Sequence, residues 1–238
     1  MALGPKKISA IHRIGHMKEK RVSSDANSIE TELFALQFAG AFNSEDPDLF
    51  DSCFLKQVHG AEIVERTQDN KLASYEADGQ FTSLSGLRLA IRTADCVPLM
   101  IYSPVKHLAV ALHLGWRGVA ARLASKCIHD LGLMNDNLEF YLGPHIQFGS
   151  FEVGAEVIQA LNVTLNEGYR SDPELVCEKP NEKFLCNLAR YIYLQCAEAM
   201  SSEFFWWQST TDTFTNKNFY SFRRDKTAQR NVSWIKLK

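Results

Sequence analysis

Three short segments of this 238-residue chain combine residue types that ligate metals or carry nucleophile and proton chemistry: KQVHG (56–60), TADCVP (93–98) and HLGWRG (113–118). Each places a His or Cys at the end of a predicted strand, beside a turn marked by Gly or Pro. Functional side chains concentrate at such junctions of rigid backbone and loop. Zinc favours thiolate and imidazole ligands, and three protein ligands with an open fourth position is its catalytic arrangement. His59, Cys96 and His113 are therefore the candidate metal ligands and the candidate catalytic residues. Their separations match no local metal signature such as His-Glu-x-x-His, so spacing alone does not join them. Taken singly, a Cys next to a strand is usually a small buried hydrophobe, and a His beside Gly a hydrogen-bonded loop residue.

Four kinds of neighbour extend this candidate site. Asp95, adjacent to Cys96, would orient a ligand or shuttle a proton, or else cap a turn. Arg117 lies near the predicted start of a helix, where exposed N–H groups and a guanidinium suit an anion such as phosphate. Arg223 and Arg224 in FRRD form a second anion clamp, or an ion pair with Asp225. Gln57 sits two residues before His59 on a predicted strand and so shares its face; it would hydrogen-bond a base, a ribose or neighbouring backbone. Zinc held by one thiolate and two imidazoles can activate water at neutral pH. Cys53, Cys127, Cys186 and Cys196 fall on predicted strands or apolar helix faces and read as packing. Cys177 is loop-like. His12, His16, His107 and His129 show no partner pattern.

The elements that must position these residues follow from periodicity. Residues 26–42 carry Ile29, Leu33, Leu36 and Ala39 or Gly40 near helical spacing, with Ser24, Asp25 or Ser28 as caps and a loop over 43–48. Beyond residue 52 short strands succeed one another: CFLKQVH, AEIVER, LRLAIRT, VPLMIYS and HLAVALH. Pro98 and Pro104 require each strand to break or lie at an edge there. Residues 115–132 read as one helix closed by Gly132. LEFYLG is a strand, VGAEVIQALNVTL and NLARYIYLQCAEAM are helices, and FFWW (204–207) and NVSWIKL (231–237) are closing strands. FFWW belongs to the core rather than to a stacking platform, since no basic residues interleave it.

Composition bounds the rest. Apolar residues make up 45% and charged residues 23%, with 26 basic and 28 acidic side chains mixed along the chain. This suits a soluble globular fold and lacks the concentrated basic face of a nucleic-acid or membrane binder. No apolar run is long enough to span a bilayer, and no secretory h-region follows Lys6 and Lys7. Irregularly spaced cysteines without such a signal imply reduced thiols and the cytoplasm. The expectation is one α+β domain over 1–238, with residues 1–50 its least decisive part, and a monomer.

The phrases KQVHG, ADGQFTS, TADCVPLMIYS, HLGWRG, GPHI…FEVG and FYSFRRD stand in the same order as in a widespread bacterial family, and from about residue 52 onward the chain resembles it. It is the YfiH-like family, also known as polyphenol oxidase (laccase-domain) proteins, purine nucleoside phosphorylases or peptidoglycan editing factors. The resemblance implies a four-layer α/β/β/α sandwich with mixed sheets, related to the catalytic domain of cytotoxic necrotising factors. It implies zinc on His59, Cys96 and His113, and activity on purine nucleosides: phosphorolysis of adenosine, inosine and methylthioadenosine, and deamination of adenosine. The laccase label implies copper, but two His and one Cys do not supply the several sites of a multicopper oxidase.

The chain also departs from that pattern. HRIGHMKEKRVSSDANSIE replaces the family's Gly-Gly-Val-Ser and Asn-Leu-Gly motifs, which leaves the substrate open. His145, Gln147 and Gly149 stand where smaller residues or Cys are usual, and Asn187 where Asp is usual. Two rival readings follow. Cys96 and His113 would act as a metal-free thiolate–imidazole pair hydrolysing an amide of a peptidoglycan precursor. Alternatively, zinc with a fourth protein ligand such as His145 would only hold the fold.

Overall fold

The computed structural model describes residues 21–22, 28–41, 49 and 51–238. Ser24, Asp25, the 43–48 loop, His12 and His16 lie outside them. Two long-range sheets form the frame. The first, in spatial order, contains β1 (Arg21–Val22), β2 (Ser28–Glu30), β3 (Phe34–Ala41), β15 (Asn231–Leu237), β7 (Arg88–Thr93) and β4 (Ser52–Cys53). The second contains β14 (Phe205–Gln208), β10 (Glu139–Leu142), β8 (Val97–Ser103), β9 (Leu108–Leu114), β6 (Gly79–Thr82) and β5 (Ile63–Glu65). A small third sheet joins β11 (Glu152–Val153), β13 (Lys183–Cys186) and β12 (Val176–Lys179). The helices are α1 (Trp116–Ala120), α2 (Leu123–Asp130), α3 (Ala155–Asn162), α4 (Leu188–Ala199) and the short α5 (Phe222–Asp225).

Two apolar layers hold these parts together. Between the sheets lie Phe34, Leu36 and Phe38 of β3, Leu89 and Ile91 of β7, Met100 and Tyr102 of β8, and Ile235 and Leu237 of β15. On the other face of the second sheet, Leu99, Ile101, Val110 and Leu112 meet Val119, Leu123, Ile128 and Ile192 of the helices. β8 and β9 are buried along their whole length, which explains why they read as unbroken apolar runs rather than alternating ones. Among the described residues the layers are therefore sheet, sheet, helix. A fourth, helical layer over the outer face of the first sheet is not formed by them. No helix among the described residues is long and apolar enough to cross a membrane.

The predicted helix over 26–42 is instead β2 and β3. Phe34, Leu36 and Phe38 alternate inward while Leu33, required by the helical reading, is half exposed. Period two prevails because the second sheet supplies the apolar surface these three need. Phe38 lies flat on Trp207, ring planes 6° apart, and against Gly143, where a Cβ would meet its ring. That contact draws FFWW into the core as expected.

Three further expectations are corrected. The helix over 115–132 is broken at Arg122, which adopts φ +57° and sends its guanidinium to the Thr164 carbonyl and Glu198. Of CFLKQVH only Cys53 lies in a strand, β4 (Ser52–Cys53), with Lys56 in an isolated bridge to Glu76, and His59 lies in the loop beyond. Pro98 does not break β8 or place it at an edge. β10 ends at Leu142, opposite Leu99, so the ladder asks no N–H of Pro98. Its carbonyl accepts from Gly143 N at 2.9 Å, while the Gly143 carbonyl bonds the His145 ring at 2.8 Å. β8 ends before Pro104, as predicted.

Candidate metal centre

The starts of β8, β6 and β5 and the end of β9 lie at one end of the second sheet, because β9 runs antiparallel to β8 and β6 while β5 is parallel to β6. The β8–β9 hairpin pairs Val97 with Leu114 and Pro98 with His113. One residue further, the same register sets Cys96 opposite Gly115, so residues far apart in sequence become cross-strand neighbours. His59 arrives in the loop before β5. The ligand atoms of His59, Cys96 and His113 lie within 4.8 Å of one another. The two imidazoles stand edge to face at 75° with ring centres 4.8 Å apart. The site grades from buried His113 through partly buried Cys96 to exposed His59, so one side faces solvent.

Gly115 makes room for this cluster. A Cβ there would stand 2.9 Å from His59 Cδ2 and 3.2 Å from Cys96 Sγ. An N₂S donor set with a floor that tolerates no methyl group fits one first-row metal ion. It does not supply several, so the donors present do not fit a multicopper centre.

The register also reveals a residue that motif reading passed over. Asp78 precedes β6, and the Gly79–Leu112 pair carried one residue further sets it opposite His113. His113 N donates to the Asp78 carbonyl at 2.7 Å, and His113 Nδ1 lies 2.7 Å from Asp78 Oδ1. The same carboxylate accepts the backbone N–H groups of Val58 (3.1 Å), His59 (3.0 Å) and Gly60 (2.6 Å). These bonds hold His59 at φ +61°, a left-handed conformation that few side-chain-bearing residues adopt. Asp78 is fully buried. Burial alone would raise its pKa, but the bonds from His113, Gly60 and Val58 hold it below the ordinary value. The only sequence signal was its place in ADGQFTS, a phrase with no metal-binding residue of its own.

Without a metal, the cluster favours an ion pair. Burial pushes the Cys96 thiol up, but the facing His113 and His59 rings outweigh it and bring the pKa down to about 6. Burial likewise opposes charge on His113, while Asp78 and the Cys96 thiolate raise it to about 9. A thiolate is the form that binds metal or attacks carbon.

The other predicted site residues are placed differently. Asp95 turns from the cluster at φ +88°; its oxygens accept the Thr213 hydroxyl at 2.8 Å and the Arg223 N–H at 2.6 Å. It therefore secures the first turn of α5 beside the N-cap residue Ser221. The Gln57 amide pairs with Arg92 backbone in both directions, at 2.7 and 2.9 Å. Arg224 is committed to Asp225 and to the carbonyls of Thr213, Phe214 and Phe219. Arg223 donates to the Glu152 carbonyl at 2.7 Å. Arg117 is exposed, stacked on Trp116 at 4.5 Å, and among the described residues its guanidinium has no hydrogen-bond or carboxylate partner. His145, the candidate fourth ligand, lies outside the cluster and is tied to the Gly143 carbonyl. Asn187 accepts from Arg190 N at 3.1 Å and so caps α4.

The model of the family described as multi-copper polyphenol oxidoreductase laccase matches residues 40–238. The chain belongs to this family. Among its relatives is the purine nucleoside phosphorylase YfiH of Shigella flexneri, 30% identical over 184 residues that cover 77% of this chain and 73% of the relative. An adenosine deaminase, RL5, from an unknown prokaryotic organism is 32% identical over 48% of this chain and 47% of its own. The crystal structure of YlmD from Geobacillus stearothermophilus superposes with a TM-score of 0.75, covering 90% of this chain and 93% of that one at 21% identity. That likeness shows a shared fold.

Proposed function

We propose that this protein is a zinc-dependent purine nucleoside enzyme, performing phosphorolysis of adenosine, inosine or methylthioadenosine and deamination of adenosine. The observation that carries the reading is the cluster of His59, Cys96 and His113 within 4.8 Å, open on the His59 side, in a chain related to proteins named for these activities. One thiolate and two imidazoles suit zinc. Such an ion, when bound, supplies Lewis acidity. Arg117, exposed and without a carboxylate partner among the described residues, is the group proposed to hold phosphate; Arg223 is a weaker candidate, since part of its guanidinium already serves Glu152. Asp95 and Asp78 position the chain rather than touch substrate. The reaction is assigned to the cytoplasm, where six unpaired cysteines stay reduced.

Chromatography of adenosine, inosine and methylthioadenosine, incubated with zinc-loaded protein with and without phosphate, tests this. Base release that requires phosphate, or inosine formation from adenosine, is expected, and neither in Cys96→Ala. If the zinc-loaded wild type converts none of these nucleosides, the reading fails.

A second reading rests on the Cys96–His113 ion pair, whose thiol at about 6 would serve as a nucleophile toward an amide without metal. Metal analysis separates the two. One tightly held zinc per chain engages the thiolate and removes it as a free nucleophile.

A further inference from the structure

We infer that Asp78 is a positioning residue for both histidines of the metal centre at once, and that this double role admits no substitute for its carboxylate. The inference rests on the metal-binding reading of His59, Cys96 and His113 and adds what sets their orientation.

The geometry divides the two oxygens. Oδ1 takes the His113 ring at 2.7 Å and the His59 N–H at 3.0 Å. Oδ2 takes Val58 N at 3.1 Å and Gly60 N at 2.6 Å. With Nδ1 as donor to Asp78, His113 has Nε2 as its lone-pair nitrogen for the metal. A carboxylate behind an imidazole ligand fixes tautomer and ring orientation in this way. The backbone bonds act on the other histidine, since they wrap the 58–60 loop around the carboxylate and hold His59 in its left-handed conformation. A Cβ at Gly118 would stand 3.4 Å from the Gly60 carbonyl, so α1 passes close to this loop. His113 is anchored within a strand, whereas His59 depends on this loop.

Asp78→Asn exposes the logic, because asparagine has one acceptor atom and one donor atom where the structure needs two acceptors. If the amide oxygen faces His113, the NH₂ group points at the N–H groups of Val58 and Gly60, and the loop carrying His59 is released. If the amide is flipped, NH₂ faces His113 Nδ1, which must then accept, leaving Nε2 protonated and unable to ligate. Either way one histidine is lost to the metal.

Zinc affinity, measured by chelator competition on wild type and Asp78→Asn, tests the inference together with the visible absorption of the cobalt-substituted forms. We expect affinity to fall about 10–100-fold, the usual effect of removing such a partner, with a changed cobalt spectrum. Affinity within twofold of wild type and an unaltered spectrum overturn the role of Asp78 while leaving the metal site standing. No uptake of zinc or cobalt by wild type overturns the metal reading and this inference with it. Should Asp78→Asn fail to fold, long-range ¹H–¹⁵N correlation on zinc-loaded wild type decides: His113 protonated at Nδ1 and ligated through Nε2 upholds the inference, and ligation through Nδ1 refutes it.

Discussion

Asp78 and Asp95 are both buried or nearly buried carboxylates near the candidate site; Asp78 accepts three backbone N–H groups from a loop and Asp95 accepts one from the first turn of α5. They differ in what else they hold. Asp78 adds the ring of a candidate ligand, so its loop carries chemistry. Asp95 adds the Thr213 hydroxyl and the start of α5, so its loop closes the fold beside the site. Adjacency to Cys96 in sequence singled out Asp95, yet its side chain points away. Asp78, distant in sequence from every ligand, faces His113 across a strand pair. Chemical neighbourhood in a sheet follows register, and register is not sequence distance.

The largest effect should come from Cys96→Ala, which removes the sulfur of the proposed ligand set. It should abolish zinc binding and nucleoside turnover while the melting temperature of the metal-free protein stays close to wild type. Metal analysis of the purified variant checks this. Gly115→Ala is next. Its Cβ would press on His59 and Cys96, so zinc affinity should fall roughly tenfold, on the scale of a disturbed ligand shell, with turnover lost in parallel. An unchanged zinc affinity would mean that His59 moves freely.

Asp95→Asn sharpens the comparison from the other side. We expect zinc affinity within twofold of wild type, in contrast to Asp78→Asn, and a stability loss of about 1–3 kcal/mol from poorly satisfied buried groups. Chemical denaturation beside a chelator titration reads both, and an equal loss of zinc affinity in the two Asn variants would erase the distinction drawn between them. The smallest effect belongs to Gln57→Ala, which should cost about 1 kcal/mol for its two backbone bonds and leave nucleoside KM unchanged. A raised KM would return Gln57 to the substrate.

A second contrast runs among the cysteines. Burial pushes Cys127 up to about 12, whereas Cys96 is brought down to about 6 by the facing imidazoles. Both are cysteines near predicted elements, and the strand-end context is what sets Cys96 apart in the sequence. The same context misplaces His59: KQVHG reads as the end of a strand, but the strand proper is Ser52–Cys53 and pairing stops at an isolated Lys56–Glu76 bridge, and the loop beyond takes its shape from Asp78. The helical reading of 26–42 fails because Ile29 and Leu36, seven apart and so on one helical face, are instead cross-strand partners of the β2–β3 pair; the apolar sheet opposite decides which face is buried.

The amino-acid sequence alone determined the donor chemistry, two imidazoles and a thiolate, and the apolar runs that become β8 and β9. Side-chain type and local period carry that information without a partner. The tertiary structure decided which carboxylate serves the ligands, which arginines are already committed to carbonyls, and where the His59 loop turns. Each of these depends on a hydrogen-bond partner supplied by another strand or loop, and such partners exist only once the strands are paired in register.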